Sequence, residues 1–182
     1  MLPPGHVAAG YLAAYSFLKI AKPDLDPSQL NQLVLWGTFF SFAPDLDTFL
    51  VFFKEKAFIF KDPNKNDHKK FYSHAPLLWL IAGLSIYFLA PSEFFKFFGL
   101  IVWLGSWTHF TLDSIEYGVM WLWPFSKKLY AFKDAAIVLP NIEENNFIAY
   151  WWKFTKLYTK SITFYFEVFF IISAAIIFLN HI

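Results

Sequence analysis

The chain has 182 residues, a formal net charge of +1 and 57% hydrophobic residues, with only 16% charged against about 25% in ordinary soluble domains, so a lipid environment is expected. The absence of cysteine excludes disulfides, thiolate metal sites and a cysteine nucleophile, and any transition-metal site must use imidazole and carboxylate. All 15 basic residues are Lys, which leaves metals, Lys and backbone amides for any anion binding, and the near-neutral charge gives no support for a nucleic-acid partner.

Taken in chain order, residues 1 to 18 carry no formal charge, and Val7 to Ile20 is rich in Ala and Leu. With no Lys or Arg ahead of it and no small-x-small cleavage site after it, this run reads as a retained helix, not a signal peptide. Its length, roughly 15 residues, is short for a span of about 20, so a tilted or partly protein-enclosed helix is expected. A turn from Lys22 to Pro27 leads to Ser28, the expected N-cap of an apolar helix from Leu30 to Ala43. Pro44 interrupts this helix, Asp45-Leu46-Asp47 follows, and Thr48 to Phe53 is apolar again. Lys54 to Tyr72 holds six Lys and reads as an exposed loop, with turn chemistry from Asp62 to Asp67.

Ala75 to Ser92 is a run of 18 uncharged residues, and Phe97 to Leu112 is another of 16. The linker between them is short enough to demand an antiparallel helical hairpin. A polar-aromatic region from Glu116 to Lys160 includes Trp123-Pro124 and Leu139-Pro140, and the chain closes with Ser161 to Leu179, apolar except for Glu167. The Trp and Tyr residues suit interfacial belts. The expected architecture is therefore an all-α, polytopic membrane bundle with about four to five transmembrane helices. It forms a single integral-membrane domain over 1–182, with a core region 1–125, a connecting segment 126–160 and a C-terminal membrane helix 161–180.

Crossings at about residues 6–20, 29–53, 74–90, 95–116 and 161–180 put the 54–72 loop and the 116–160 region on one side. These two segments hold twelve of the 15 Lys, so that side reads as cytoplasmic. His6, Asp45, Asp47, His74, His109 and Asp113 all fall at this same face. Ionisable groups at the ends of apolar segments are costly unless compensated, which makes them functional candidates. Three imidazoles and three carboxylates form a ligand set for a metal.

His109 and Asp113 have i, i+4 spacing, so they project from one helical face. They suit one divalent ion or two neighbouring ones, and the plainer reading is a helix cap or an ion pair. Asp45 and Asp47 stand at a helix break, where one can bridge cations while its neighbour ligates or orients a histidine; alternatively, one caps the stretch that follows. His74 opens a helix after Ser73, and His6 follows Gly5; both are otherwise read as satisfied interfacial histidines. His68 lies in the Lys-rich loop, His181 has no assigned role, and Glu167 is an intramembrane carboxylate fit for an ion pair, ligand support or proton carriage.

The order Gly5-His6, Pro44-Asp45-Leu46-Asp47, Ser73-His74, His109-Phe110-Thr111-Leu112-Asp113, Gly118 and Trp123-Pro124 resembles the YdjM family of bacterial inner-membrane proteins. The resemblance covers roughly residues 1–125. It departs where the family shows His-Arg before Thr-His-Ser: here Lys69-Lys70 takes that place, His68 is one residue early and Ala75 replaces the last Ser. His68 is therefore not carried over. The resemblance implies a membrane-bound metal-dependent hydrolase, distantly similar to zinc-dependent phospholipase C and zinc nucleases. One to three zinc ions, with manganese as second choice, would be held by His6, Asp45, Asp47, His74, His109 and Asp113. Asp45 or Asp47 would double as the catalytic base, and a phospholipid or lipid-linked phosphodiester would be the substrate. Two other classes stand beside it: an ion- or proton-conducting channel or transporter, and a scaffold with a structural metal. A passage needs polar groups through the full membrane depth, whereas this chain gathers them at one face.

Overall fold

The computed structural model describes residues 1–49, 68–133 and 147–180. The stretch from 50 to 53, the turn 62–67, Leu139-Pro140 and His181 lie outside the described residues. Six α-helices are described, with three 3-10 turns and no strand among those residues. The all-helical expectation holds.

Helix α1, Pro3–Ala21, opens with proline in its first turn, where a missing N–H costs nothing. It closes at Lys22, whose left-handed backbone (φ 47°) lets its N–H reach Leu18 O. Helix α2, Pro27–Phe40, is capped by Asp26, not by Ser28 as the sequence suggested. Asp26 accepts from Gln29 N at 2.9 Å while the Gln29 side chain accepts from Asp26 N at 3.3 Å. Pro27 explains the shift: it prefers the first helical position, which places the cap one residue before it. The helix ends at Phe40, and a 3-10 turn, Ala43–Leu46, follows around Pro44.

Helices α3, Pro76–Leu89, and α4, Glu93–Asp113, form the expected hairpin. Their backbones approach closely at Gly83 and Gly99: a Cβ on Gly83 would stand 2.6 Å from Gly99 O, and one on Gly99 2.5 Å from Gly83 O. Helices α1, α2 and α4 share a core of Ala14, Leu18, Leu33 and Ile101, with Phe17, Val34, Phe97 and Phe98 packed around it. Small residues let the three meet, since a Cβ on Gly37 would fall 2.4 Å from Ala14 Cβ.

Helix α5, Phe147–Tyr158, lies inside the segment read from sequence as a polar-aromatic connector. Helix α6, Ile162–Leu179, begins at Ser161, whose hydroxyl accepts from Phe164 N at 3.2 Å, and it packs on α1. Among the described helices α6 is the one long and apolar enough to cross a membrane, and only 11% of its residues are buried. Phe169, Ile172 and Ile176 stand open, an apolar face of the kind lipid or protein covers. Helix α3 is apolar but shorter, at 14 residues.

The tightest of the glycine positions is Gly10, where a Cβ would meet Ser41 Oγ at 2.0 Å. Gly10→Ala is expected to lower stability by about 1–3 kcal/mol through this overlap. The thermal midpoint in detergent checks it: Gly10→Ala should melt several degrees lower, whereas a Val7→Ala control should stay near wild type.

Candidate metal centre

Four segments meet at one end of the bundle: the start of α1, the turn after α2, the 3-10 turn Tyr72–His74 before α3, and the last turns of α4. His6, His74, His109 and Asp113 are buried there, Asp47 is nearly so, and the Asp45 side chain is 13% exposed. The structure thus brings together all six residues singled out from the sequence.

Asp45 Oδ1 faces two imidazoles, 3.4 Å from His74 Nε2 and 3.6 Å from His109 Nε2. His109 Nε2 also stands 3.6 Å from Asp113 Oδ2, one helical turn along α4. One ligand atom from each of Asp45, His74, His109 and Asp113 lies within 4.8 Å of the others, so this group can hold a metal ion. Ligand atoms around a tetrahedral zinc are about 3.3 Å apart, as follows from bond lengths near 2 Å. The 3.4 to 3.6 Å spacings of Asp45 to the two imidazoles and of His109 to Asp113 fit that scale, and the other pairs of the group lie within 4.8 Å.

The hydrogen bonds behind the histidines point the same way. His109 Nδ1 donates to Ser41 O at 2.9 Å, because a carbonyl can only accept. Its Nε2 is buried without a hydrogen bond and turns a lone pair toward Asp45 and Asp113. A lone pair facing carboxylates is repulsive, and a cation between them converts the repulsion into coordination. His74 Nδ1 donates to Asp47 Oδ2 at 3.0 Å, which directs its Nε2 toward Asp45. Ser73 Oγ donates to the same Asp47 oxygen. Asp47 therefore stands behind His74, where it fixes the ring's tautomer and orientation.

His6 stacks on His109, with centroids 4.0 Å apart and planes 24° from parallel. Its Nε2 is 3.3 Å from Asp113 Oδ1, and its Nδ1 is buried without a hydrogen bond. Asp113 receives two further cations: the amino group of Met1 at 3.0 Å from Oδ1, and Lys69 Nζ on Oδ2. The Lys69 ammonium also lies 4.9 Å from the centre of the Tyr117 ring. Burial, with Glu116 next, pushes the Tyr117 phenol up to about 12, so it stays neutral beside Lys69.

Glu167, assigned three possible roles from sequence, reaches back to this end of the bundle. It accepts from the Tyr158 hydroxyl and from Leu2 N at 3.4 Å. Burial and that carboxylate both raise the Tyr158 pKa, which keeps Tyr158 a donor. Glu116 accepts from Thr163 Oγ1 at 2.6 Å and Ile162 N at 3.3 Å, tying the end of α4 to the start of α6. The sequence reading missed Ser41, Glu116 and Tyr158. The small residues Gly10, Gly37 and Gly105 in apolar helices were the available signal that backbones meet near Ser41. His68 opens the 3-10 turn His68–Lys70 that carries Lys69.

An all-helical protein with a buried imidazole–carboxylate centre able to bind a metal is thus defined by the fold and the site. The family model for the YdjM inner membrane protein matches residues 1–181, and the chain belongs to this family. No curated protein and no solved structure matches it.

Asp47→Asn tests the positioning of His74. An amide in that place accepts more weakly and can present a donor to Nδ1, so the affinity for Zn²⁺ should fall about 10- to 100-fold, as is usual for partners behind a ligating histidine. Isothermal titration on chelator-stripped protein measures it, and wild-type affinity in Asp47→Asn would dissociate Asp47 from the centre.

Proposed function

We propose that this protein is a membrane-bound metal-dependent hydrolase that cleaves a phosphoester, with a phospholipid or lipid-linked phosphodiester as substrate. The observation that carries the reading is the pair of imidazoles whose Nδ1 atoms are held by Ser41 O and Asp47 while both Nε2 atoms face the Asp45 carboxylate. Zinc suits this donor set best, with manganese second.

Asp45, His74, His109 and Asp113 would hold the ion, and His6 would serve a second one through its approach to Asp113. A divalent ion in such a site supplies water activation near neutral pH and stabilises charge on the attacked phosphoryl group. Asp47 keeps His74 oriented. Asp45, the most exposed of the four ligand candidates at 13%, is placed to accept the proton of the attacking water.

The surroundings suit a lipid substrate. The family is described as an inner membrane protein, and α6, whose Glu167 reaches Leu2 near the site, carries an open apolar face. We place the site at the cytoplasmic face of a bacterial inner membrane, in a bundle of four to five crossings, on the strength of the Lys distribution. Glu167 contacts Leu2 at the same end of the bundle as the histidines, which favours an enzyme over a conducting passage lined along its length.

Metal analysis of wild type, His109→Ala and Asp113→Ala purified under zinc-replete conditions tests the centre. Wild type should retain zinc, and each variant should lose most of it. Zinc-loaded wild type should then hydrolyse at least one member of a panel of phosphate mono- and diesters that includes phospholipids. Absence of metal from wild type overturns the metal centre, and zinc without turnover on the whole panel returns the reading to a structural metal.

A further inference from the structure

Two cations rest on Asp113, the Met1 amino group and Lys69, and Lys69 is the one carried by a side chain. Its ammonium sits on Asp113 Oδ2, the same oxygen that faces His109 Nε2 at 3.6 Å. A divalent ion ligated by that oxygen and by His109 would stand directly beside the ammonium. Like charges at such a separation repel strongly where water is scarce, and the Lys69 side chain is only 12% exposed. Lys69 and the ion therefore compete for Asp113.

The displaced ammonium stays tethered beside the centre. Its four-carbon stem rises from the short turn His68–Lys70, and the neutral Tyr117 ring already lies 4.9 Å from Nζ. A cation held beside a metal needs an anion, and an oxyanion that binds the metal offers one. The chain has no arginine to take this role, so the task falls to lysine.

We propose that Lys69 is the anion-binding residue of this site: a tethered cation that yields Asp113 to the metal and turns its ammonium to a phosphate oxygen of the ligand. This rests on the metal-centre reading above. It predicts opposite effects of one substitution on two ligands, which simple structural damage would not give.

The test uses the full-length protein in detergent, stripped with chelator, as wild type, Lys69→Met, Lys69→Arg and the neighbouring Lys70→Met. In zinc titrations Lys69→Met should bind about tenfold tighter than wild type, since a competing charge is gone, while Lys69→Arg and Lys70→Met stay near wild type. On zinc-loaded protein, binding of inorganic phosphate and of a short-chain phosphatidylglycerol below its micellar concentration is then measured. Lys69→Met should lose about tenfold in affinity, and Lys69→Arg should restore most of it. Dependence on Lys69 with both inorganic phosphate and the lipid assigns the residue to any phosphate oxyanion, and dependence with the lipid alone assigns it to a headgroup; both support the proposal. Equal or weaker zinc binding by Lys69→Met, or anion binding indifferent to Lys69 in both arms, overturns it while the metal centre stands. If wild type binds no zinc, the metal centre and the Lys69 proposal fall together.

Discussion

The site depends on one residue that does no chemistry, Ser41. It ends α2, its carbonyl accepts from His109 Nδ1, and its hydroxyl reaches the carbonyls of His6 and Thr38 at 2.8 and 2.7 Å. Helices α1, α2 and α4 are thereby referred to a single point. Gly10 and Gly105 make that point reachable, because side chains there would occupy the space of Ser41 and of the Gly37 carbonyl. Three apolar helices can slide along one another at small cost, since hydrophobic packing has little directionality. Hydrogen bonds to buried groups do not slide, and these ones set the register in which His6 and His109 stack.

Electrostatics explains why so much of the surrounding structure is spent on holding a few carboxylates. Asp113 is 1% exposed, and a buried carboxylate without partners costs several kcal/mol or more. The protein surrounds it with the Met1 amino group and His6 from the start of α1, Lys69 from the turn before α3, and His109 from one turn back along α4. Glu116 and Glu167 are treated the same way with neutral donors: backbone N–H groups, Thr163 and Tyr158. Cations gather at the centre and hydroxyls gather one layer away. That division separates the part of the polar network able to exchange charge with a ligand from the part that holds helices together.

Much of this was legible in the sequence. His109 and Asp113 sit one helical turn apart by spacing alone, and the short linker at 90–92 dictated the α3–α4 hairpin. Ionisable residues at the ends of apolar segments identified the centre, because burying charge without a purpose is penalised. The division of labour between Asp45 and Asp47 was not legible: residues two apart in a turn point wherever the local 3-10 geometry sends them, and only the structure turns Asp47 toward His74 Nδ1. The cap at Asp26 was misplaced by two residues, since Ser28 has the right chemistry but lies inside the helix that Pro27 starts. Helix α5 was hidden because its Trp and Lys residues resemble an interfacial connector as much as a helix. Ser41 carried no signal of its own, as its role comes from three helices distant in sequence.

The hairpin of α3 and α4 is joined at residues 90–92, and its backbones touch at Gly83 and Gly99, both on the half nearer that joint. His74 precedes one arm and His109 with Asp113 ends the other, and at that end the arms are tied by Trp107 Nε1, which donates to Pro76 O at 3.1 Å. The gap between His74 and His109 is therefore set within the hairpin itself, and their rings meet edge to face with centroids 5.4 Å apart. Asp45, inserted between His74 and His109 from outside the hairpin, spans that gap. The same carboxylate that faces both imidazoles thus joins the hairpin to the turn after α2, so the centre is completed by a segment outside the pair of helices that carries most of it.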